Sequence, residues 1–373
     1  MRVFLACALS LLGCGGKDAR LIGGGDATFV EVYRAERALM ATDLAFHPER
    51  PNELWILRRE LASNEPCDSV TTTEAGCTAL QGSIAVVFGD GTVQTYTDPN
   101  AWHFMRRPPA FAFGAPGTFA SVGEHRTGNL LDSGADYIGP TLWSSALPGI
   151  VPGCETSPLG CFTVEPAGGN GSHLDMLHES PYAMGIAHER DNVYWVFNGN
   201  VGAIDRYDFH HDHGPGADDH SDGELQRYVP GALTRVPDVP SHMAFEDGAL
   251  YVADSGGGRV LELDTQSGSS AGPALPNNDN LAVCELMAGA DLTELVEPGT
   301  LTTPSGLEIF DEVLYVTDHA TSRIHAFDLD GDEIASLDTG LPAGSLAGFA
   351  VGPDEKAYFV DMPNAVVYRI DPK

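Results

Sequence analysis

The sequence is short of positive charge. Its 373 residues hold 20 Lys and Arg against 53 Asp and Glu, a formal net charge of −33. Such a surface repels phosphate, so nucleic acid and anionic membrane surfaces are excluded as direct partners, while solubility and cations are favoured. Long helical stripes are missing as well; only Leu286 to Val296 reads as a helical piece. There is no P-loop, no G-x-G-x-x-G ahead of a helix, no G-x-S-x-G elbow and no H-E-x-x-H. Nucleotide binding and serine-hydrolase chemistry therefore have no support in the sequence.

What is present suits an all-β protein. Hydrophobic residues make up 43%, enough for most of the chain to fold, and 43 Gly with 25 Pro supply turns. At the start, Arg2 precedes an apolar run from Val3 to Leu12. The run has about half the roughly 20 residues of a spanning helix. It ends in Leu11-Leu12-Gly13-Cys14, which resembles the lipobox of bacterial lipoproteins. The resemblance implies cleavage before Cys14 and lipid on its sulfur. The chain is then anchored in the bacterial cell envelope, at the outer membrane by the absence of an acidic residue at Gly15, and faces the periplasm or cell surface. Lipidation at Cys14 is the only membrane contact it implies. An ordinary secretory signal cut between Gly13 and Gly16 is the alternative. The expected organisation is a signal peptide over 1–13, a flexible tether over 14–28 and one folded domain over 29–373.

The other cysteines fit an oxidising compartment. Cys67 and Cys77 bracket one polar loop and Cys154 and Cys161 another, so the expected disulfides are Cys67–Cys77 and Cys154–Cys161. Cys284 is left as a buried free thiol.

One unit recurs along the chain: a Pro- or Ser-containing turn, a short apolar strand, a second strand ending in Asp or Asn, then a third ending in Asp. Its copies are Met40–Glu60, Arg107–Glu124, Ser180–Asp208, Val239–Asp264, Thr303–Asp328 and Ser345–Asp371. Asp-Gly pairs at Asp90-Gly91, Asp247-Gly248 and Asp330-Gly331 supply hairpin turns. A blade of this kind cannot cover both of its faces alone, whereas six arranged radially can, so a six-bladed β-propeller is expected. An insertion over Gln266–Gly299 separates the fourth and fifth copies. The segment LYVADSGGGRVLELD, Leu250–Asp264, resembles the NHL repeat, which implies the same fold and leaves open whether it hosts catalysis or binding.

Propeller geometry sorts the side chains. The channel position of each innermost strand aligns as Asp43, Ala110, Gly185, His242, Gly306 and Gly348, with three glycines expected to leave open volume. The residues after the second strands, among them Arg58, Glu124 and Asp254, are expected around one mouth. The loop entering the third blade carries His173, Asp175 and His178 and is expected at that same mouth. There His173, His178 and His242 would hold zinc, iron or manganese. The stretch VPSHMAFEDGALYVAD resembles the metal-binding strand of peptidylglycine amidating lyase, which assigns His242 a ligand role; other blades lack a matching His. A second cluster, FHHDHGPGADDHSDG over 209–223, offers His211, His213 and His220 among aspartates, suited to calcium or a transition metal, and is expected at the opposite mouth. Separate, solvated side chains are the plainer account of both clusters.

Two functions follow. The first is an envelope-tethered binding module for a small-molecule or peptide ligand at the channel, with or without a divalent metal. The second is a metal-dependent lyase or hydrolase, in which Arg58 steadies an oxyanion and Glu124 or Asp254 moves protons.

Overall fold

The structure, a computed structural model, describes residues 19–23, 26–36, 39–60, 82–96, 98, 105–126, 137–145, 173–214 and 219–373. Among them there is no helix. The first strand, β1 (Ala27–Arg34), is held back for the last blade. Blade one is β2 (Leu39–Phe46), β3 (Glu53–Glu60), β4 (Gly82–Phe88) and β5 (Val93–Tyr96). Blade two is β6 (Phe111–Phe113), β7 (Thr118–Ser121), β8 (Thr141–Ser144) and β9 (His173–Met176). Blade three is β10 (Ala183–Arg190), β11 (Val193–Asn198), β12 (Ala203–Asp208) and β13 (Glu224–Tyr228). Blade four begins with β14 (Met243–Glu246), β15 (Ala249–Asp254) and β16 (Arg259–Asp264). After a hairpin of β17 (Ser269–Pro273) and β18 (Val283–Ala288), it is completed by β19 (Leu292–Val296). Blade five is β20 (Pro304–Phe310), β21 (Val313–Asp318), β22 (Arg323–Asp328) and β23 (Glu333–Asp338). Blade six is β24 (Leu346–Val351), β25 (Ala357–Asp361), β26 (Val366–Pro372) and the returning β1.

The innermost strands β2, β6, β10, β14, β20 and β24 each touch the next, and β24 returns to β2, so the six-bladed β-propeller closes. Its seam is antiparallel pairing of the two chain ends, from Ala27↔Pro372 to Arg34↔Val366. The second strands β11 and β21 are buried along their whole length because blades cover both of their faces. That double cover explains why these strands open on unbroken apolar runs, Val193–Phe197 and Val313–Val316. Six buried apolar clusters lie one at each blade interface. Trp55, Trp143 and Trp195 are wholly buried in three of the blades. Truncating an aromatic anchor of this kind costs about 3–5 kcal/mol.

Three expectations change. Leu286–Val296 is not helical: Gly289 turns the chain at φ +69°, and its two halves join sheets as β18 and β19. Strand β18 pairs parallel with β13, extending blade three to six strands. The available sheet edges outweigh the modest helix propensity of that stretch. The expected tether is not free over its whole length, since Ala19, Leu21 and Ile22 are buried between blades five and six, where apolar contact offsets chain entropy. Cys284 is a free thiol but only half-buried. Cys14, Cys67, Cys77, Cys154 and Cys161 lie outside the described residues.

Candidate functional site

The acids that end the second strands are structural caps. Asp254 accepts from Thr234 N (2.8 Å) and from Arg259 Nε (2.8 Å). Asp318 accepts from Thr302 N, Thr303 N and Ala320 N at 2.9–3.1 Å. Each ties the loop entering its own blade to the adjoining turn, satisfying backbone donors that would otherwise be buried unpaired.

The other expected catalytic residues are equally engaged. Arg58 donates to Ser83 Oγ (2.9 Å) and Tyr33 Oη (2.9 Å). Glu124, 2% exposed, accepts from Arg59 (3.2 Å), Arg235 (3.0 Å) and Asp238 N (2.8 Å). Asp238 in turn accepts from Arg59 (3.0 Å) and Arg107 (2.5 Å). Asp238 and Arg235 belong to the loop between β13 and β14, so this network pins that loop to blades one and two.

The channel is also fuller than expected. A Cβ on Gly185 would lie 1.9 Å from Ser241 O, and one on Gly306 2.2 Å from Ala347 O. These glycines do not leave open volume; they let neighbouring innermost strands approach where the blades converge. Asp43 of blade one and His242 of blade four sit on opposite sides of the ring, yet their side chains come within 3.4 Å. His242 Nε2 lies 3.3 Å from Pro109 O, and Asp43 accepts from Leu44 N (2.8 Å) and Phe111 N (2.9 Å). Burial pushes the Asp43 carboxyl up, and facing His242 draws it back.

Two residues beyond the channel position, the innermost strands carry Ala45, Ala112, Ala187, Ala244 and Ala350, but blade five carries Glu308. Glu308 retains partial solvent exposure and, among the described residues, makes no hydrogen bond or ion pair. Desolvation, then Asp43 and Glu246, push its carboxyl up to about 8. Sequence reasoning missed Glu308, although the alanine register singles it out. Elsewhere, a cleft of about 410 Å³ opens at the seam of blades six and one, lined by Phe46, Leu54, Phe88 and Tyr358.

The histidines are sorted differently from expectation. His173 and Asp175 lie in β9, the outermost strand of blade two, not in a loop at the channel mouth. His173, His178 and His242 do not share a group within metal-binding reach among the described residues. Cross-strand pairing with β8 at Leu142↔Asp175 and Trp143↔His173 is what draws this segment outward. The loop over 209–223 does connect β12 to β13, and it meets β9 directly through His213 N donating to Leu174 O (3.3 Å). The two expected clusters thus merge at the edge between blades two and three.

Two trios of ligand-type side chains form there: His178, His220 and Asp279, and Asp175, His213 and Asp222. In the first, Asp279 accepts from His178 N (2.5 Å) and Tyr137 Oη (2.8 Å) and faces His178 Nδ1 (3.0 Å) and His220 Nδ1 (3.4 Å). Tyr137 stacks on His178 at 4.0 Å. Burial opposes it, but the His178 and His220 hydrogen bonds hold the Asp279 carboxyl well below the usual carboxylate range. Asp279 comes from the insertion, and nothing in its Asn-rich surroundings signals this meeting. In the second trio, His213 Nε2 lies 3.0 Å from Asp222 Oδ1 and 4.0 Å from Asp175 Oδ2. Asp175 is 1% exposed; Oδ1 accepts from Met176 N (2.6 Å), while Oδ2 has no hydrogen-bond partner. Burial pushes this carboxyl up to about 7, against the pull of His220 and His213. His211 is a member of neither trio; its side chain is 86% exposed and only its Nδ1 reaches Asp222 Oδ2, at 3.4 Å.

No family model and no curated protein matches the chain. Solved structures do. A structural-genomics protein of unknown function from Bacteroides thetaiotaomicron aligns with TM-score 0.51 at 9% identity, over 93% of this chain and 72% of that one. Virginiamycin B lyase from Staphylococcus aureus aligns with TM-score 0.50 at 12% identity, over 92% of this chain and 99% of that one. Identities this low speak for the shared fold alone.

Proposed function

We propose that this protein is an envelope-tethered, non-catalytic binding propeller of NHL type. It takes the cationic group of a small-molecule or peptide ligand, an amine, at Glu308, beyond the point where Asp43 and His242 meet across the channel. The observation that carries this reading is Glu308: a carboxyl near the axis, without a partner among the described residues, beside Asp43 and Glu246. An ammonium group placed there would ionise and pair it in a charge-assisted contact, and the net charge of −33 would steer such ligands inward. The lyase reading is less well supported. His242 faces Asp43 and a backbone carbonyl, and Arg58, Glu124 and Asp254 are held by internal partners. The anchor at Cys14 is part of the proposal, tested by incorporation of labelled fatty acid that Cys14→Ser abolishes.

Calorimetric titration of the full chain with putrescine and lysine dipeptides tests the ligand class. Binding that weakens at least tenfold in Glu308→Gln and with added salt is expected. No amine binding, or equal binding by the variant, would refute it; an apolar ligand bound independently of Glu308 would move the site to the seam cleft.

A further inference from the structure

The edge between blades two and three offers an independent chemistry. We propose that Asp175, His213 and Asp222 bind one divalent transition-metal ion, of which zinc is the type, and that the ion clasps the outer strand of blade two to the β12–β13 loop of blade three.

The donor set fits. One imidazole nitrogen and two carboxylate oxygens suit zinc-class ions, whereas calcium takes oxygen ligands only. Zinc bonds of about 2.0–2.2 Å place tetrahedral ligand atoms roughly 3.3–3.5 Å apart. The separations at His213, 3.0 Å to Asp222 and 4.0 Å to Asp175, bracket that value, so small side-chain rotations complete the site. Two carboxylates match the charge of the ion.

The second observation is independent of the cluster's composition. Asp175 Oδ2 is buried, without a hydrogen-bond partner among the described residues, and lies on the side of the carboxylate that faces His213. Burying a carboxylate oxygen unpaired is costly, and a bound cation removes that cost. The neighbouring trio lacks this feature, because the Asp279 oxygens already face Tyr137, His178 and His220. Its placement gives the ion a task. Blade two is built from strands of only three or four residues, and its last strand, β9, carries Asp175. His213 and Asp222 come from the next blade, so one ion would bridge a blade interface beside the blade with the shortest strands.

The test is zinc binding by the untagged full chain after chelation, read by metal analysis, calorimetry and thermal melting. One ion per chain is expected, with Tm raised by about 3 °C at a hundredfold excess over Kd. Asp175→Asn, nearly isosteric, should fold with a Tm in chelator no lower than that of the wild type, yet lose at least tenfold in affinity and most of the zinc-dependent Tm rise. His213→Ala should do the same, and Asp279→Asn should keep full affinity. Absence of stoichiometric zinc, or wild-type affinity in Asp175→Asn, would overturn the proposal. So would loss of the ion in Asp279→Asn but not in Asp175→Asn, which would hand it to the neighbouring trio.

Discussion

The channel mouth and the edge between blades two and three carry the same kinds of side chain in opposite states. At the mouth, Glu124 is buried and every contact it makes is to a donor: Arg59, Arg235 and the backbone of Asp238. At the edge, Asp175 is as deeply buried, but one of its oxygens meets no donor. Burial of a carboxylate therefore does not by itself mark function. A fully paired one holds the fold together, and an unpaired one is where a ligand has something to supply.

Removing the paired group should have the largest effect. Glu124→Ala leaves the buried Arg59 guanidinium with only the half-exposed Asp238 as a charged partner and should cost about 3–5 kcal/mol in urea denaturation. A loss below about 1 kcal/mol would mean that the network is not what pins the β13–β14 loop. Next comes crowding at the axis. Gly185→Ala should destabilise by about 1–3 kcal/mol, since its Cβ would meet Ser241 O at 1.9 Å. A neutral outcome would restore the open channel expected from sequence.

Glu308 sharpens the comparison through pH. Its carboxyl is pushed up to about 8 from an ordinary 4.5, so the folded protein keeps a proton that the unfolded chain has released. Stability should then fall as pH rises through this window and level off above about 8. Because water reaches the group, a decline on the order of 1 kcal/mol between pH 6 and pH 9 is expected, and Glu308→Gln should remove this component. An identical pH profile in the variant would contradict the placement. The smallest effect belongs to His211→Ala: it should change stability by less than about 0.5 kcal/mol and leave zinc affinity intact, because the ring is solvent-exposed.

The six copies and their hairpins were legible because the central strands are covered on both faces, which leaves unbroken apolar runs such as Val313–Val316. The partnership of β13 with β18 was not, since it joins Glu224 to Val283 across a blade of intervening chain. The same limit governed the sites. The acids that end the second strands were visible, but the donors to Glu124 arrive from elsewhere: Asp238 N reaches it across 114 residues. The histidine-rich loop was visible too, while Asp279 joins His178 from 101 positions away. Local pattern reports which groups are available; tertiary pairing decides which remain unsatisfied.

The most direct test sets two charge-removing substitutions side by side. The denaturation midpoints of Glu124→Gln and Asp175→Asn would be measured in chelator at pH 7.5. The account predicts a clear loss of stability for Glu124→Gln and no loss, or a gain of up to about 1 kcal/mol, for Asp175→Asn. Comparable losses in both would show that Asp175 is as well paired as Glu124, and the distinction between scaffold and site would fall.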